Sequence, residues 1–334
     1  LFTQSLIYYL SVFLFYNQIK NLFNKKICFI IICFLCTEPT IFQYHSSFWT
    51  ESFYFSIQLL LLTTLLIQNE KNSKYLIIGL LLGLLFLQRS AGMFYIIIII
   101  IYLLLDKKEY KIKKIILVLV PYLIICLILG IHNYKRAGIF YVMPTEAKYG
   151  MYRYFAKEIL AESNNSSLVD VNKSEVRNSL IWIENNLPEL NYKDYEHKNK
   201  PYSIGNSIKI EKERIKFWDH LNQRSYEILI NNPVTTLKKI INGFIHFSVL
   251  NPFFVYFDYD FYKDYSSSII GDFSFNEKHR QLIPTRIIYS FFIYIICLVG
   301  LFQIYKKNSK FTLLLLFSIM YYYIITGWYG KTRL

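Results

Sequence analysis

The sequence predicts an all-α protein: a polytopic transmembrane helical bundle with an exported, mainly α-helical domain inserted between its spans. Two observations carry this reading. Hydrophobic residues make up 54% of the 334 residues, and they gather into apolar runs too long for the core helices of a soluble domain. Lysines collect at alternate connections between those runs, so all of them fall on one side of a membrane that the runs cross in turn.

Eight apolar segments can be marked, at about 1–17, 27–44, 52–68, 75–88, 91–105, 115–132, 286–305 and 311–328. Lys20, Lys25 and Lys26 share one connection. Lys71 and Lys74 lie in the next but one, then Lys107, Lys108, Lys111, Lys113 and Lys114, then Lys306, Lys307 and Lys310. Only Glu70, Asp106 and Glu109 oppose these thirteen lysines, which is the pattern of a cytoplasmic face.

Residues 75–105 test the assignment. A single span there puts the five-lysine connection outside, so the sequence predicts two short spans broken at Gln88-Arg89-Ser90. At about 1.5 Å per residue these reach roughly 21–23 Å, short of a hydrocarbon core of about 30 Å. Arg89 should therefore lie a little below the outer surface. The hairpin from Thr50 to Leu105 thus carries Glu51 and Arg89 at the same outer face on spans otherwise free of charge. A carboxylate and a guanidinium placed so suit a site that handles a charged lipid headgroup.

The formal charge of +14 is mostly a topology signal, because residues 133–285 hold 20 basic and 18 acidic side chains. No single domain has the basic patch that a nucleic-acid partner requires. The wealth of Lys, Asn, Ile, Tyr and Phe also fits an A+T-rich genome. Cys28, Cys33, Cys36, Cys126 and Cys297 all fall in apolar runs and read as small buried residues. Cys33 and Cys36 have no second pair or His partner, so neither a disulfide framework nor a zinc site is expected.

The chain divides into an N-terminal transmembrane bundle of about six spans (1–132), an exported domain (133–285) and a C-terminal transmembrane hairpin (286–334). Residues 133–285 are too long for a loop. Helical spacing is clearest in Ser207–Asn232, where Ile208, Ile215, Trp218, Leu221, Tyr226 and Leu229 recur among charges. Asn232-Pro233 ends that helix. Val234–Leu250 then reads as an amphipathic helix on the membrane surface, since crossing would invert both later spans. A second helix is expected around Val171–Asn186, with Trp182. The aromatic run Phe253–Tyr265, with Asp258, Asp260 and Asp264, reads as a lid or interfacial loop, with metal binding by its alternating carboxylates as the alternative. Because Leu1 opens inside an apolar run and Lys331-Thr332-Arg333-Leu334 stops without a tail, the chain is read as an internal fragment of a longer protein.

Four pieces of this sequence resemble motifs of one family. Glu38-Pro39-Thr40-Ile41-Phe42 precedes Thr50-Glu51-Ser52, like a proline, a short outer stretch and an acidic residue opening the next span. Residues 79–90, Gly79 and Gly83 included, form a Gly-rich span closing on Gln88-Arg89-Ser90. His132-Asn133-Tyr134-Lys135-Arg136-Ala137-Gly138 is similar to the Asn-x-x-x-x-Gly that opens an exported domain. Gly330-Lys331-Thr332-Arg333-Leu334 is similar to a Gly-x-x-Arg-Tyr motif at the outer end of a late span. Together they resemble the GT-C superfamily of integral membrane glycosyltransferases, dependent on dolichyl- or polyprenyl-phosphate sugars. The nearest branch is that of the protein O-mannosyltransferases and lipid A aminoarabinose transferases. Gln88 and Ser90 stand where the family pattern has Thr and Pro.

The resemblance implies transfer of a sugar from a polyprenyl-phosphate donor to an acceptor glycan, lipid or protein at the outer face. It places the enzyme in a bacterial inner (cytoplasmic) membrane, with residues 133–285 exported. Such chemistry needs a carboxylate for the acceptor nucleophile and cationic groups or a divalent cation for the leaving phosphate. The family carries its acidic pair on an exported loop before the segment that starts at Leu1, so the catalytic base is not assigned to any residue here. Arg89, Lys331 and Arg333 are the donor-phosphate candidates. Glu51, Glu38 and His45 are the candidates for the acceptor or a metal. Each has a plainer alternative: Arg89 snorkelling or pairing with Glu51, Lys331 and Arg333 anchoring beside Trp328 and Tyr329, Glu51 as a helix N-terminal carboxylate, His45 as a surface residue, and Glu38, costly if unpaired near the outer third of a span, facing a basic partner. Gly79 and Gly83 read as a face for close helix packing without chemistry. The competing functions are a polysaccharide polymerase or ligase and a lipid-linked-glycan flippase; a transporter should carry ionisable residues near the bilayer midplane on several spans.

Overall fold

A computed structural model describes residues 2–37, 50–105, 110–142, 149–249, 291 and 294–329. Among them the chain is helical and contains no strand. The amino-terminal helices are α1 (Phe2–Ile19), α2 (Lys25–Thr37), α3 (Thr50–Leu66), α4 (Asn72–Gln88), α5 (Tyr95–Leu104) and α6 (Lys111–Ala137). Within them, hydroxyls bond back to the carbonyl one turn earlier: Ser56 to Ser52 (2.8 Å), Thr63 to Leu59 (2.7 Å) and Thr64 to Leu60 (2.8 Å). Polar side chains are thereby satisfied inside their own helix, as apolar surroundings require.

Packing follows the small residues. α4 lies against α6, and a Cβ on Gly79 would stand 2.1 Å from the Val118 carbonyl oxygen, one on Gly83 2.3 Å from Ile125 Cδ1. The glycine face is thus a close-packing face, as its spacing implied. α3 packs on α1 and α4. The last described helix, Ser309–Tyr329, follows a helical run over 294–307 and packs on α5. By length and composition, α6 alone among the described helices is long and apolar enough to cross a membrane; Ser52–Leu66, Asn72–Gln88, Ser90–Leu104 and Ser309–Tyr322 are shorter apolar helices. The bundle's outer face is apolar, with Leu123, Ile124, Leu127 and Ile128 of α6 each at least half exposed.

The lysine-bearing connections meet at one end of this bundle. Lys307 donates to the Leu22 carbonyl between α1 and α2. Lys310 sits 4.2 Å from the centre of the Tyr102 ring near the end of α5, Lys111 reaches the Leu104 carbonyl, and Lys114 pairs with Glu70 at 2.8 Å. Burial opposes ionisation of Glu70, yet hydrogen bonds from Lys114 and Tyr75 and the charges of Lys114 and Lys74 outweigh it and hold the carboxyl down to about 2.

Beyond α6 the chain builds a second core. Gly138, in the left-handed region at φ 70°, ends α6, and its N–H returns to the Tyr134 carbonyl at 2.8 Å. The apolar run was expected to stop near residue 132, but the helix continues to Ala137 before this cap. There follow a π-helical turn (Tyr152–Ala156), α7 (Lys157–Ser163), α8 (Leu168–Asn186), α9 (Pro201–Ser207), α10 (Glu211–Asn231) and α11 (Pro233–Val249). Ser167 caps α8 by accepting the Asp170 N–H at 3.1 Å. Tyr152, Phe155, Ile183, Phe217, Trp218 and Leu221 fill the core. Trp218 closes over Gly205, where a Cβ would meet its ring at 2.3 Å.

Within α10, Ile215, Trp218, Leu221 and Leu229 are buried as their spacing implied, but Tyr226 is 48% exposed. The buried stripe passes instead through Phe217, Ser225 and Ile228. Ser225 has no apolar side chain to announce its position; its hydroxyl hides on the Leu221 carbonyl. α11 packs along the Ser309–Tyr329 helix and is tied to α7 by Lys238–Glu162 at 2.7 Å and Lys239–Glu158 at 2.9 Å. Near the end of α6, Arg136 pairs with Glu211, and Asn133 donates to the Tyr141 carbonyl at 2.8 Å.

Candidate functional site

Arg89 interrupts the long apolar stretch at the place where lysine counting requires a break. It adopts extended backbone (φ −149°, ψ 140°) after α4, and a 3₁₀ turn, Ser90–Gly92, carries the chain into α5. Its N–H still bonds to the Leu85 carbonyl at 3.1 Å, and its own carbonyl accepts the Gly92 N–H at 2.8 Å. The reversal is tight. A Cβ on Gly92 would stand 2.6 Å from the Leu85 carbonyl carbon and oxygen and 2.8 Å from the Phe86 nitrogen, contacts that only a glycine avoids.

A non-helical turn in an apolar setting must satisfy its carbonyls by other means. Two tyrosines from distant helices do so: Tyr122 of α6 donates to the Met93 carbonyl at 2.8 Å, and Tyr321 donates to the Ala91 carbonyl. The Arg89 turn is therefore pinned from two sides.

Beneath it lies an aromatic cluster that sequence reasoning missed. The Tyr54 and Tyr322 hydroxyls meet at 2.6 Å. Tyr95 stacks on Tyr322 with centroids 5.8 Å apart, and its hydroxyl reaches Ser318 at 2.7 Å. Ser318 gives its proton to the Leu314 carbonyl, at 2.7 Å, so Tyr95 is the donor in the pair. Arg89 itself is half-buried and within electrostatic reach of Tyr54. The one available signal was the run Tyr321-Tyr322-Tyr323 late in an apolar helix, which has no meaning until α3 and α5 are packed against it.

The other sequence candidates are placed less fully. Glu51 lies in the first turn of α3; its side chain is outside the described residues. Glu38, His45, Lys331, Arg333, Asp258, Asp260 and Asp264 also lie outside them. Among the described residues no three His, Cys, Asp or Glu side chains converge as metal ligands, and the five cysteines are free thiols.

The second core has a polar centre of its own. Glu175, 4% exposed, accepts two hydrogen bonds from Arg224 (3.0 and 3.3 Å) and one from Tyr152 at 3.2 Å. Burial, together with the neighbouring carboxylate, pushes the Tyr152 hydroxyl far up, so that it remains a donor. His220 stacks on Trp182 at 4.3 Å, and burial lowers its pKa.

No curated protein and no solved structure matches this chain. Residues 1–132, spanning α1 to α5 and most of α6, match the dolichyl-phosphate-mannose-protein mannosyltransferase family, in line with the GT-C resemblance carried by the sequence motifs.

Proposed function

We propose that this chain transfers a sugar from a polyprenyl-phosphate donor to an acceptor at the outer face of a bacterial cytoplasmic membrane, and that Arg89 holds the leaving phosphate. One observation carries the reading. A guanidinium stands at a pinned helix break, half-buried, at the end of the bundle away from the gathered lysines. In this reading residues 1–132 and 286–334 form the polytopic bundle, and 133–285 stand outside on the Arg136–Glu211 root.

The chemistry is a direct displacement that inverts the anomeric centre. The acceptor oxygen forms a bond to the anomeric carbon as the bond to the phosphate oxygen breaks, and the electron pair leaves with the phosphate. A carboxylate takes the acceptor proton. Arg89 offers two parallel N–H donors to the phosphate and stays charged throughout, so its attraction grows as the leaving oxygen gains charge. Lys331 and Arg333 are the further phosphate candidates, and Glu51, Glu38 and His45 those for the acceptor or a divalent cation. The tyrosine layer below Arg89 keeps the turn fixed and presents hydroxyls beside the charge.

Membranes containing wild-type protein, supplied with a panel of polyprenyl-phosphate sugars, should release polyprenyl phosphate and glycosylated product. Arg89→Ala, inserted at equal level, should lose that activity. Transfer at the wild-type rate by Arg89→Ala removes Arg89 from the site. A flippase would move the intact lipid-linked sugar across vesicles with no product formed.

A further inference from the structure

The lysines at the other end of the bundle are not equivalent. Those between α3 and α4 and at the start of α6 are offset by Glu70, which Lys114 engages at 2.8 Å. The corner made by the α1–α2 connection and residues 306–307 has no such offset. No Asp or Glu occurs anywhere in residues 1–37 or 287–334, yet Lys20, Lys25, Lys26, Lys306 and Lys307 are all exposed there. Lys307 draws the two segments together by donating to the Leu22 carbonyl, 285 positions away, and its charge reaches Cys28 in the first turn of α2. Among the described residues, none of the five has a carboxylate partner; Lys20 bonds to Asn17, and Lys306 lies 4.5 Å from the centre of the Phe302 ring.

Lys25 and Lys26 also sit where local physics disfavours them. They occupy the first turn of α2, which carries no acidic residue, and a helix N-terminus repels cations by up to about 1 kcal/mol each. Asn24 already caps that end by accepting the Ile27 N–H at 2.9 Å. A broken local preference with no compensating carboxylate among the described residues points to an external one. The compensating group must be an anion, and it must lie among exposed apolar and aromatic side chains: Phe29, Phe302 and Tyr305 are each more than half exposed around the lysines.

We propose that this corner is a binding site for an anionic phospholipid of the cytoplasmic leaflet, its headgroup phosphate held by Lys25, Lys26 and Lys306 and the helix α2 N-terminus, its acyl chains against Phe29 and Phe302. The proposal rests on the membrane reading given above, but not on the sugar-transfer site. Positive-inside charge alone orients a chain through any lysine near a span end; a site gathers lysines from two distant segments onto one phosphate.

The test uses the full chain in phosphatidylcholine nanodiscs, titrated with fluorescent short-chain phosphatidylglycerol or phosphatidylcholine. Phosphatidylglycerol should bind in preference. Lys25→Gln/Lys26→Gln/Lys306→Gln should weaken it on the order of 100-fold, taking about fivefold for each lysine near an anionic headgroup. The single variant Lys306→Gln should weaken it about fivefold, which keeps the test open if the triple variant does not fold. Lys71→Gln/Lys113→Gln should leave the affinity unchanged. Equal affinity for the two lipids, an unaffected triple variant, or inorganic phosphate binding as tightly as the lipid overturns the assignment. Flotation of the protein with phosphatidylcholine vesicles checks the membrane reading separately: a chain that fails to float refutes that reading, whereas one that floats without lipid preference refutes only this site.

Discussion

Gly92→Ala is the sharpest perturbation the Arg89 turn allows, because it adds one methyl and alters no charge. The added Cβ would stand 2.6 Å from the Leu85 carbonyl and 2.8 Å from the Phe86 nitrogen. Ordinary contact begins at about 3.4 Å, so the end of α4 and the 3₁₀ turn must separate by roughly 0.8 Å. Both sides are backbone and no side chain can swing away. The insertion should cost about 1–3 kcal/mol in stability, as overpacking does, and it should move Arg89 by a comparable fraction of an ångström to an ångström. A displacement of about 1 Å in a positioning group costs on the order of 100-fold in turnover. Gly300→Ala is the matched control, since a Cβ there meets nothing within 4 Å and the helix gains about 1 kcal/mol of propensity. The assay is sugar transfer per folded protein, with folded protein quantified by size exclusion and thermal unfolding. Wild-type turnover by Gly92→Ala at wild-type stability refutes the claim that this turn sets the place of Arg89.

The same geometry ranks two other glycines: Gly79→Ala meets the Val118 backbone and should sharply reduce thermal stability in detergent, while Gly83→Ala meets the flexible end of Ile125 and should cost less. In the second core, Glu175→Gln removes the charge facing Arg224 and leaves one acceptor oxygen where Tyr152 and Asn178 each had their own. Because Arg224 is 31% exposed and retains Glu227, the loss should be about 2 kcal/mol, below the value for a fully buried pair, read from the unfolding of Trp182 and Trp218 fluorescence. Glu70, held down to about 2 from an ordinary 4.5, contributes stability that is complete above pH 4.5 and lost as pH falls toward 2. Thermal unfolding of wild type between pH 5 and 3 should therefore fall more steeply than that of Glu70→Gln; parallel slopes contradict the pairing with Lys114.

Part of the helical layout was legible in the apolar runs and the lysines between them. The break at Arg89 followed from where five lysines had to lie, and a close-packing face on α4 from Gly79 and Gly83, though not that α6 would meet it. Pro233 marked the start of α11, and Trp218 and Leu221 marked the buried face of α10. What escaped was tertiary. Nothing along the chain says that Tyr321 bonds to Ala91 or that Tyr54 meets Tyr322, 230 and 268 positions apart. Tyr226 misled because aromatic spacing cannot tell a core position from a snorkelling one, and Ser225 is polar yet buried. Of the residues proposed for the site, Arg89 is the one whose surroundings are described. The pinning of the turn that follows it, by Tyr122 on Met93 and Tyr321 on Ala91, is what the structure adds to the sequence.

The central claim, that Arg89 grips the leaving phosphate, is tested most directly by the affinity of polyprenyl monophosphate, the product lipid, for wild type and Arg89→Ala in the same nanodiscs. Losing a charge-assisted bidentate contact should weaken binding at least about tenfold and transfer by about 100- to 1,000-fold, with Arg89→Lys between them. Equal affinity for the product lipid in wild type and Arg89→Ala would contradict the account.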